Sequence, residues 1–165
     1  MKRILNDGRN TAAMIRPAVF LLVLVAITGC SGIKTYPNTM DKNLFVDLKK
    51  DRGVRVSLDV YDVDANCRAG YRGTVQLDAK VSEVGIPTSK WLFLSFNFAR
   101  SSIIFGNSSM GHGTMIKARR GKIYRAKAIY RDDMYSVEIR EADSRDAEGR
   151  EMEHIELSEC KPGER

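Results

Sequence analysis

Hydrophobic and polar residues alternate with period two through most of the chain after residue 43, the pattern of strands with one buried and one wet face. Val54, Val56, Leu58 and Val60 alternate with Arg55, Ser57, Asp59 and Tyr61. Tyr71, Val75 and Leu77 alternate with Arg72, Thr74, Gln76 and Asp78, and Gly73 among them predicts a bulge. Leu92, Leu94, Phe96 and Phe98 form the densest row, and Trp91 and Phe93 are apolar on the other parity, so this strand is expected at the centre of a sheet, covered on both sides at its start. Phe45–Val46 and Met115–Ala118 predict short strands.

The clearest pairing is local. Folding Ile123–Arg131 back on Met134–Glu141 through Asp132-Asp133 sets Tyr130 opposite Tyr135, Ala128 opposite Val137 and Ala126 opposite Ile139, with Lys127 opposite Glu138 on the other face. Residues 143–153 read as a charged loop, and His154–Cys160 as a last strand with Ile155 and Leu157 inward. No sustained helical period follows Cys30. Seven or eight short strands around one core predict an all-β domain, an antiparallel β-sandwich with Ig-like or transthyretin-like connections, a closed barrel being the alternative. The strands are too few, and their outward faces too polar, for a membrane barrel.

The N-terminal pattern is different. Lys2, Arg3, Arg9 and Arg16 precede an uncharged apolar run from Pro17 to Ile27, which closes on Thr28-Gly29-Cys30 and passes at once into polar residues. That layout is a secretory signal, and the run falls short of the roughly 20 apolar residues that a membrane span needs. Ile27-Thr28-Gly29-Cys30 resembles the lipobox of bacterial lipoproteins. The resemblance implies that residues 1–29 are removed and that Cys30 becomes the first residue, carrying a diacylglycerol thioether and an acyl chain on its amine. Three acyl chains give durable anchoring where one is only marginal. A plain secretory signal with an unmodified Cys30 is the competing reading. Residues 30–42 then form a lipidated tether and 43–165 the β-sandwich domain. Ser31 is not the Asp that retains such proteins at the inner membrane, so the resemblance implies an outer-membrane location facing the periplasm or the surface. Asp64-Ala65-Asn66-Cys67 and Tyr71-Arg72-Gly73-Thr74-Val75 also resemble small proteobacterial lipoproteins of uncharacterised function. In size, anchor and fold class the chain is similar to the anchoring lipoprotein of type VI secretion systems, although Asp51-Arg52-Gly53 stands where that family has Asn-Pro-Asp and Gly-Arg-Pro.

Export changes how charge and cysteines are read. The chain carries 27 Lys and Arg against 21 Asp and Glu, but the signal takes four basic residues and one acid, leaving 23 against 20. The basic balance therefore argues little for nucleic acid, which is not expected as a partner. Cys67 and Cys160 remain as an even pair in an oxidising compartment and are expected to be bridged, two free thiols being the alternative.

Candidate chemistry is sparse. Asp62, Asp64 and Asn66 imitate the first half of a calcium loop, but the sixth position is Cys67 and the twelfth Gly73, so no metal site is expected. Gly106–Thr114 reads as a glycine-rich hairpin connection with His112 at its tip, lacking the Gly-Lys-Ser/Thr of a phosphate loop. His112 and His154 are the two ordinary neutral-pH bases, and no nucleophile-elbow, zinc-protease or paired-carboxylate pattern accompanies them, so no catalytic residue is assigned. Lys117, Arg119, Arg120, Lys122, Arg125, Lys127 and Arg131 form an acid-free run suited to an anionic partner, or else to a solvated face neutralised by Glu138, Glu141 and the 143–153 loop. The expected function is a non-catalytic binding or assembly module of the cell envelope, with the membrane as one partner through the lipid and an envelope protein or glycan as another. No cofactor is expected beyond the covalent lipid on Cys30. An envelope enzyme or ligand carrier is the competing class.

Overall fold

A computed structural model describes residues 32–102, 106–160 and Pro162. The signal segment 1–29, the lipidation site Cys30 and Ser31 lie outside the described residues. Nine strands follow in order: β1 Leu44–Lys50, β2 Val54–Val63, β3 Ala69–Gln76, β4 Val81–Val84, β5 Trp91–Ser102, β6 Gly106–Lys117, β7 Ile123–Arg131, β8 Met134–Ala142 and β9 Arg150–Glu151. They form two sheets, one ordered β4-β1-β7-β8-β9 and one ordered β3-β2-β5-β6, which is a β-sandwich. All ladders are antiparallel except β1 with β7, which run side by side in parallel.

The alternation decides which faces meet. Val54, Val56, Leu58 and Val60 of β2 and Leu92, Leu94, Phe96 and Phe98 of β5 are buried, and so are Leu44, Val46 and Leu48 of β1 and Tyr124, Ala126, Ala128 and Tyr130 of β7. Together they form one core cluster, and Phe98 of one sheet stacks on Tyr130 of the other with ring centroids 5.8 Å apart. Each fully buried large side chain among them contributes about 1.5–3 kcal/mol relative to exposure.

The β7–β8 hairpin has the register read from the sequence, Tyr130 against Tyr135 through Ala126 against Ile139, with Lys127 against Glu138. Asp132 and Asp133 both take positive φ, 50° and 60°, as a two-residue turn matching the strand twist requires. The turn is held from outside by hydrogen bonds: Asp133 Oδ1 accepts from Tyr130 Oη at 3.0 Å and from Arg100 at 2.9 Å, and the Asp132 N–H donates to Asp51 Oδ2 at 3.0 Å.

Three expectations are corrected and one strand, β4, is added. The glycine-rich stretch from Gly106 is strand, paired along its whole length with β5, because that register gains a full ladder and Gly111 and Gly113 leave room for the Asn97 and Phe93 side chains. His154–Cys160 is not a strand. Ile155 O accepts from the Met115 N–H at 2.8 Å, after which the chain turns through a short 3-10 segment, Leu157–Glu159, toward Cys67. A segment that must cross from one sheet to the other cannot keep a ladder with either. The four-residue β4 pairs with β1 and was too short to show a period. Finally, the tether is not free over its second part: the Tyr36 N–H donates to Thr74 O at 3.0 Å and the Thr74 N–H to Lys34 O at 2.8 Å. Tyr36 is buried, its hydroxyl donates to Gly85 O at 2.8 Å, and burial pushes its pKa up to about 12.

Cys67 and Cys160 are disulfide-bonded, 93 residues apart in sequence. The strap from β9 to the β2–β3 turn thereby joins one sheet to the other covalently. Removing the bond by Cys160→Ser is expected to cost up to about 5 kcal/mol by the loop-entropy model, read as a lower urea midpoint that reductant no longer shifts. Gly73 has φ +145°, and a Cβ there would lie 2.6 Å from Tyr36 N and Cα. Gly73→Ala is expected to cost about 1–3 kcal/mol from backbone strain alone, measured by urea unfolding of the oxidised protein.

Candidate functional site

The outer face of the four-stranded sheet is set by the same alternation that builds the core. With Val60 and Leu94 inward, Tyr61 and Phe93 point outward and are cross-strand neighbours. On β3 the register slips: Val60 pairs with Gly73 and Tyr61 with Tyr71, leaving Arg72 as the extra residue of a bulge. Without the slip Arg72 would stand beside Tyr61. With it, Tyr71, Tyr61 and Phe93 form a row across three strands, with ring centroids 5.3 and 5.7 Å apart. Tyr61 and Phe93 are half-buried and Tyr71 is exposed. Phe93 lies over the next strand, where a Cβ on Gly113 would come within 2.3 Å of its ring.

One strand step from the rings runs a polar row, Thr74, Asp59 and Ser95, followed by Gln76, Ser57 and Asn97. The Asp59 carboxylate accepts from the Thr74 hydroxyl and, at 2.9 Å, from Asn97 Nδ2. Thr74 Oγ1 in turn hydrogen-bonds Tyr71 Oη, and Ser95 Oγ donates to Asn97 Oδ1 at 3.4 Å. These bonds fix the polar side chains in place before any ligand arrives. Burial first, and then the neighbouring Asp59 charge, raise the pKa of Tyr61. At the end of this face Lys117 Nζ sits 5.9 Å from the Trp91 ring centroid, and Met115 is buried beside Phe93. The covering expected over this strand's start is therefore partial: Met115 is closed off, while Phe93 and Trp91 stay half open. The wrong-parity aromatics were the visible signal of this face, and the bulge that adds Tyr71 was visible only as a glycine.

A second feature lies on the flank of the sandwich. A cleft of about 420 Å³ opens between β6 and β8, with Ile116, Val137, Ile139 and Met152 as apolar lining and His112 and His154 at its rim. The two imidazole centroids are 4.7 Å apart, and the Tyr135 ring lies on His112 with centroids 6.4 Å apart and donates from its hydroxyl to Gly111 O at 3.0 Å. His112 is thus not at a loop tip but in mid-strand, opposite Phe96. Its pKa is lowered by burial and, secondly, by the like charge of His154. Glu138, Glu151 and Glu153 share the cleft.

The basic run does not form one patch. Lys117 lies on the four-stranded sheet. Arg119 pairs with Glu141, whose carboxyl it holds below the usual range, and Lys122 does the same to Asp143. Arg120 is exposed in the turn. Arg125 and Lys127 stand exposed between buried neighbours on the outer face of the other sheet, where Lys127 is in register with both Asp47 and Glu138, and Arg131 is exposed at the end of β7. In the series Asp62, Asp64, Asn66, the Asp62 carboxylate meets Arg72 at 3.4 Å and Lys90 at 3.8 Å through one oxygen. The other oxygen is buried without a hydrogen-bond partner among the described residues. Asp64 Oδ1 caps its own turn, accepting from the N–H groups of Asn66 and Arg68 at 2.8 and 2.9 Å. Among the described residues no group of three or more His, Cys, Asp or Glu is placed to hold a metal, and no helix there is long and apolar enough to cross a membrane.

No protein-family model and no curated protein matches the chain.

The histidine pair gives the fold a pH dependence of defined sign. Because the pKa of His112 is lowered from 6.5 in the folded chain, the unfolded chain binds more protons in the window just below that value. Stability is complete above about pH 6.5 and falls as the pH drops below it. Urea midpoints at pH 7.5 and pH 5.5 are expected to differ in that direction, and His112→Gln to shrink the difference.

Proposed function

We propose that the chain is a lipid-anchored module of the bacterial cell envelope whose sandwich binds a partner without chemical turnover. The anchor rests on the basic start, the apolar run and Ile27-Thr28-Gly29-Cys30. The Cys67–Cys160 bond supports export, since such bonds persist in oxidising compartments. Outer-membrane sorting follows from Ser31 by the lipoprotein resemblance.

The observation that carries the binding role is the outer face of the four-stranded sheet. A solvated sheet face needs no aromatic row, yet Tyr71, Tyr61 and Phe93 stand there together beside a hydrogen-bonded polar row. Half-open rings with pre-fixed polar neighbours are what a recognition surface requires, because little side-chain entropy is left to lose on binding.

A second reading, an enzyme or ligand carrier, is favoured by the flank cleft, where His112 and His154 meet three glutamates over an apolar floor. A small ligand protected there from exchange would support it.

Cys30→Ala is expected to abolish removal of residues 1–29 by the lipoprotein route and to move the protein from the membrane to the soluble or unprocessed fraction. Mass spectrometry of the mature N-terminus and membrane fractionation check this. An unchanged N-terminus and unchanged partitioning in the variant would defeat the anchor.

A further inference from the structure

The geometry points to a pyranose glycan strand as the occupant of the outer face of the four-stranded sheet, stacked on Tyr61 and Phe93 and hydrogen-bonded by Asp59, Ser95 and Asn97. This rests on reading that face as the binding surface and goes further by naming the ligand chemistry.

Residues on one face of a strand repeat every ~6.8 Å, and neighbouring strands lie ~4.8 Å apart. Tyr61 and Phe93 are cross-strand neighbours, and Asp59 and Ser95 sit one such repeat away on the same two strands. A pyranose has two apolar C–H faces and a girdle of hydroxyls in its ring plane. Laid on the Phe93 ring, it turns its hydroxyls sideways, over the carboxylate, hydroxyl and amide of the polar row. A ligand with apolar faces and a polar rim is thus matched on both counts.

The ring row is longer than one sugar. The centroids of Tyr71, Tyr61 and Phe93 are spaced 5.3 and 5.7 Å, with neighbouring ring planes tilted by 51° and 55°, so the row is a twisted one, and a strand that follows it must turn from ring to ring. Past Phe93, Ser95 and Asn97 the next positions on β6 are Met115, Gly113 and Gly111. No side chain rises at the two glycines, while past Phe93 the edge is closed by Met115 and by the strap at Ile155, so a polymer leaves this face beside Ser95 and Asn97.

Charge argues against the other polymers. Between Arg55 at one end of this face and Lys117 at the other, an acidic residue, Asp59, stands in its middle, so a polyanion gains little there. An added peptide strand needs a free edge, and both central strands of this sheet are paired on each side.

The test uses the full mature chain, purified from membranes in detergent. The probes are insoluble peptidoglycan sacculi in a pelleting assay and a soluble β-1,4-linked N-acetylglucosamine tetramer in calorimetry. The protein is expected to pellet with sacculi and to bind the tetramer. Phe93→Leu and Tyr61→Leu, which keep apolar volume but remove a ring, are each expected to weaken both by about tenfold, and Tyr61→Phe to leave them within twofold or so. Urea unfolding of each variant separates loss of a ring from loss of fold, and where one Leu variant unfolds the other decides. Failure of the wild type to bind either probe overturns the inference, as does binding unchanged in the folded Leu variants. A photo-crosslinker placed at Ser95 that captures a protein, with no glycan bound, also overturns the glycan but leaves the module standing. Membrane fractionation of the same preparations reports on the anchor separately.

Discussion

A side chain on a strand can point only one of two ways, and β5 uses both. Its even-numbered row, Leu92 through Phe98, is buried to the last residue and supplies the middle of the core. Its odd-numbered row carries Trp91 and Phe93 and then Ser95 and Asn97, half open on the opposite side. Because β5 lies between β2 and β6, each of these residues is flanked by a cross-strand partner, and the partners inherit the division. Tyr61 and Asp59 are outward because Val60 and Leu58 are inward. The stability of the sandwich and the chemistry of its outer face are therefore written on one strand in alternate letters. The two sets of side chains do not touch each other, so one can change with little loss to the other.

How much of this was legible depended on whether the reason for a residue lay nearby. The β7–β8 hairpin could be read residue by residue, because its partners are adjacent in sequence and matched on both faces, and Asp132-Asp133 tolerates the left-handed backbone that the turn needs. The stretch from Gly106 has the composition of a loop and the structure of a strand for the opposite reason. Gly113 is there to leave room for the Phe93 ring, a demand set by a residue twenty positions earlier that no local pattern reveals. Gly73 was visible as a bulge, but not what the bulge achieves, which is to bring Tyr71 in place of Arg72 beside Tyr61. Ile155 and Leu157 alternate as a strand would, yet the disulfide to Cys67 pulls their segment across the flank and out of any ladder.

The basic run teaches the same lesson about charge. Seven cations close in sequence became three groups in space, because the run spans the end of β6, a turn and β7, and successive residues of a strand face opposite ways. Acids placed by pairing then neutralise part of it: the β7–β8 ladder brings Glu141 to the start of β7, with Asp143 just past the end of β8, and Asp47 and Glu138 flank Lys127. Linear clustering was a poor guide where strand geometry redistributes side chains. Paired cysteines, by contrast, kept their meaning, since a covalent partner does not depend on which face a residue occupies.

Sheet edges explain why recognition falls to a face. An open edge invites another chain to add a strand, and folded proteins blunt such edges. Here the β3 edge is taken by Lys34–Tyr36, bonded to Thr74 on both sides. The β6 edge meets the strap at Met115 and the Tyr135 hydroxyl at Gly111. β4 is only four residues long, and β8 is paired by β9 before the strap begins at Met152, whose N–H donates to Ile139 O at 2.8 Å. With backbone pairing largely consumed inside the domain, a partner must be recognised through side chains standing on a closed ladder. Rings and fixed hydrogen-bonding groups do that without inviting strand addition, and the half-open row of Tyr61 and Phe93 beside Asp59 is where the sandwich offers both.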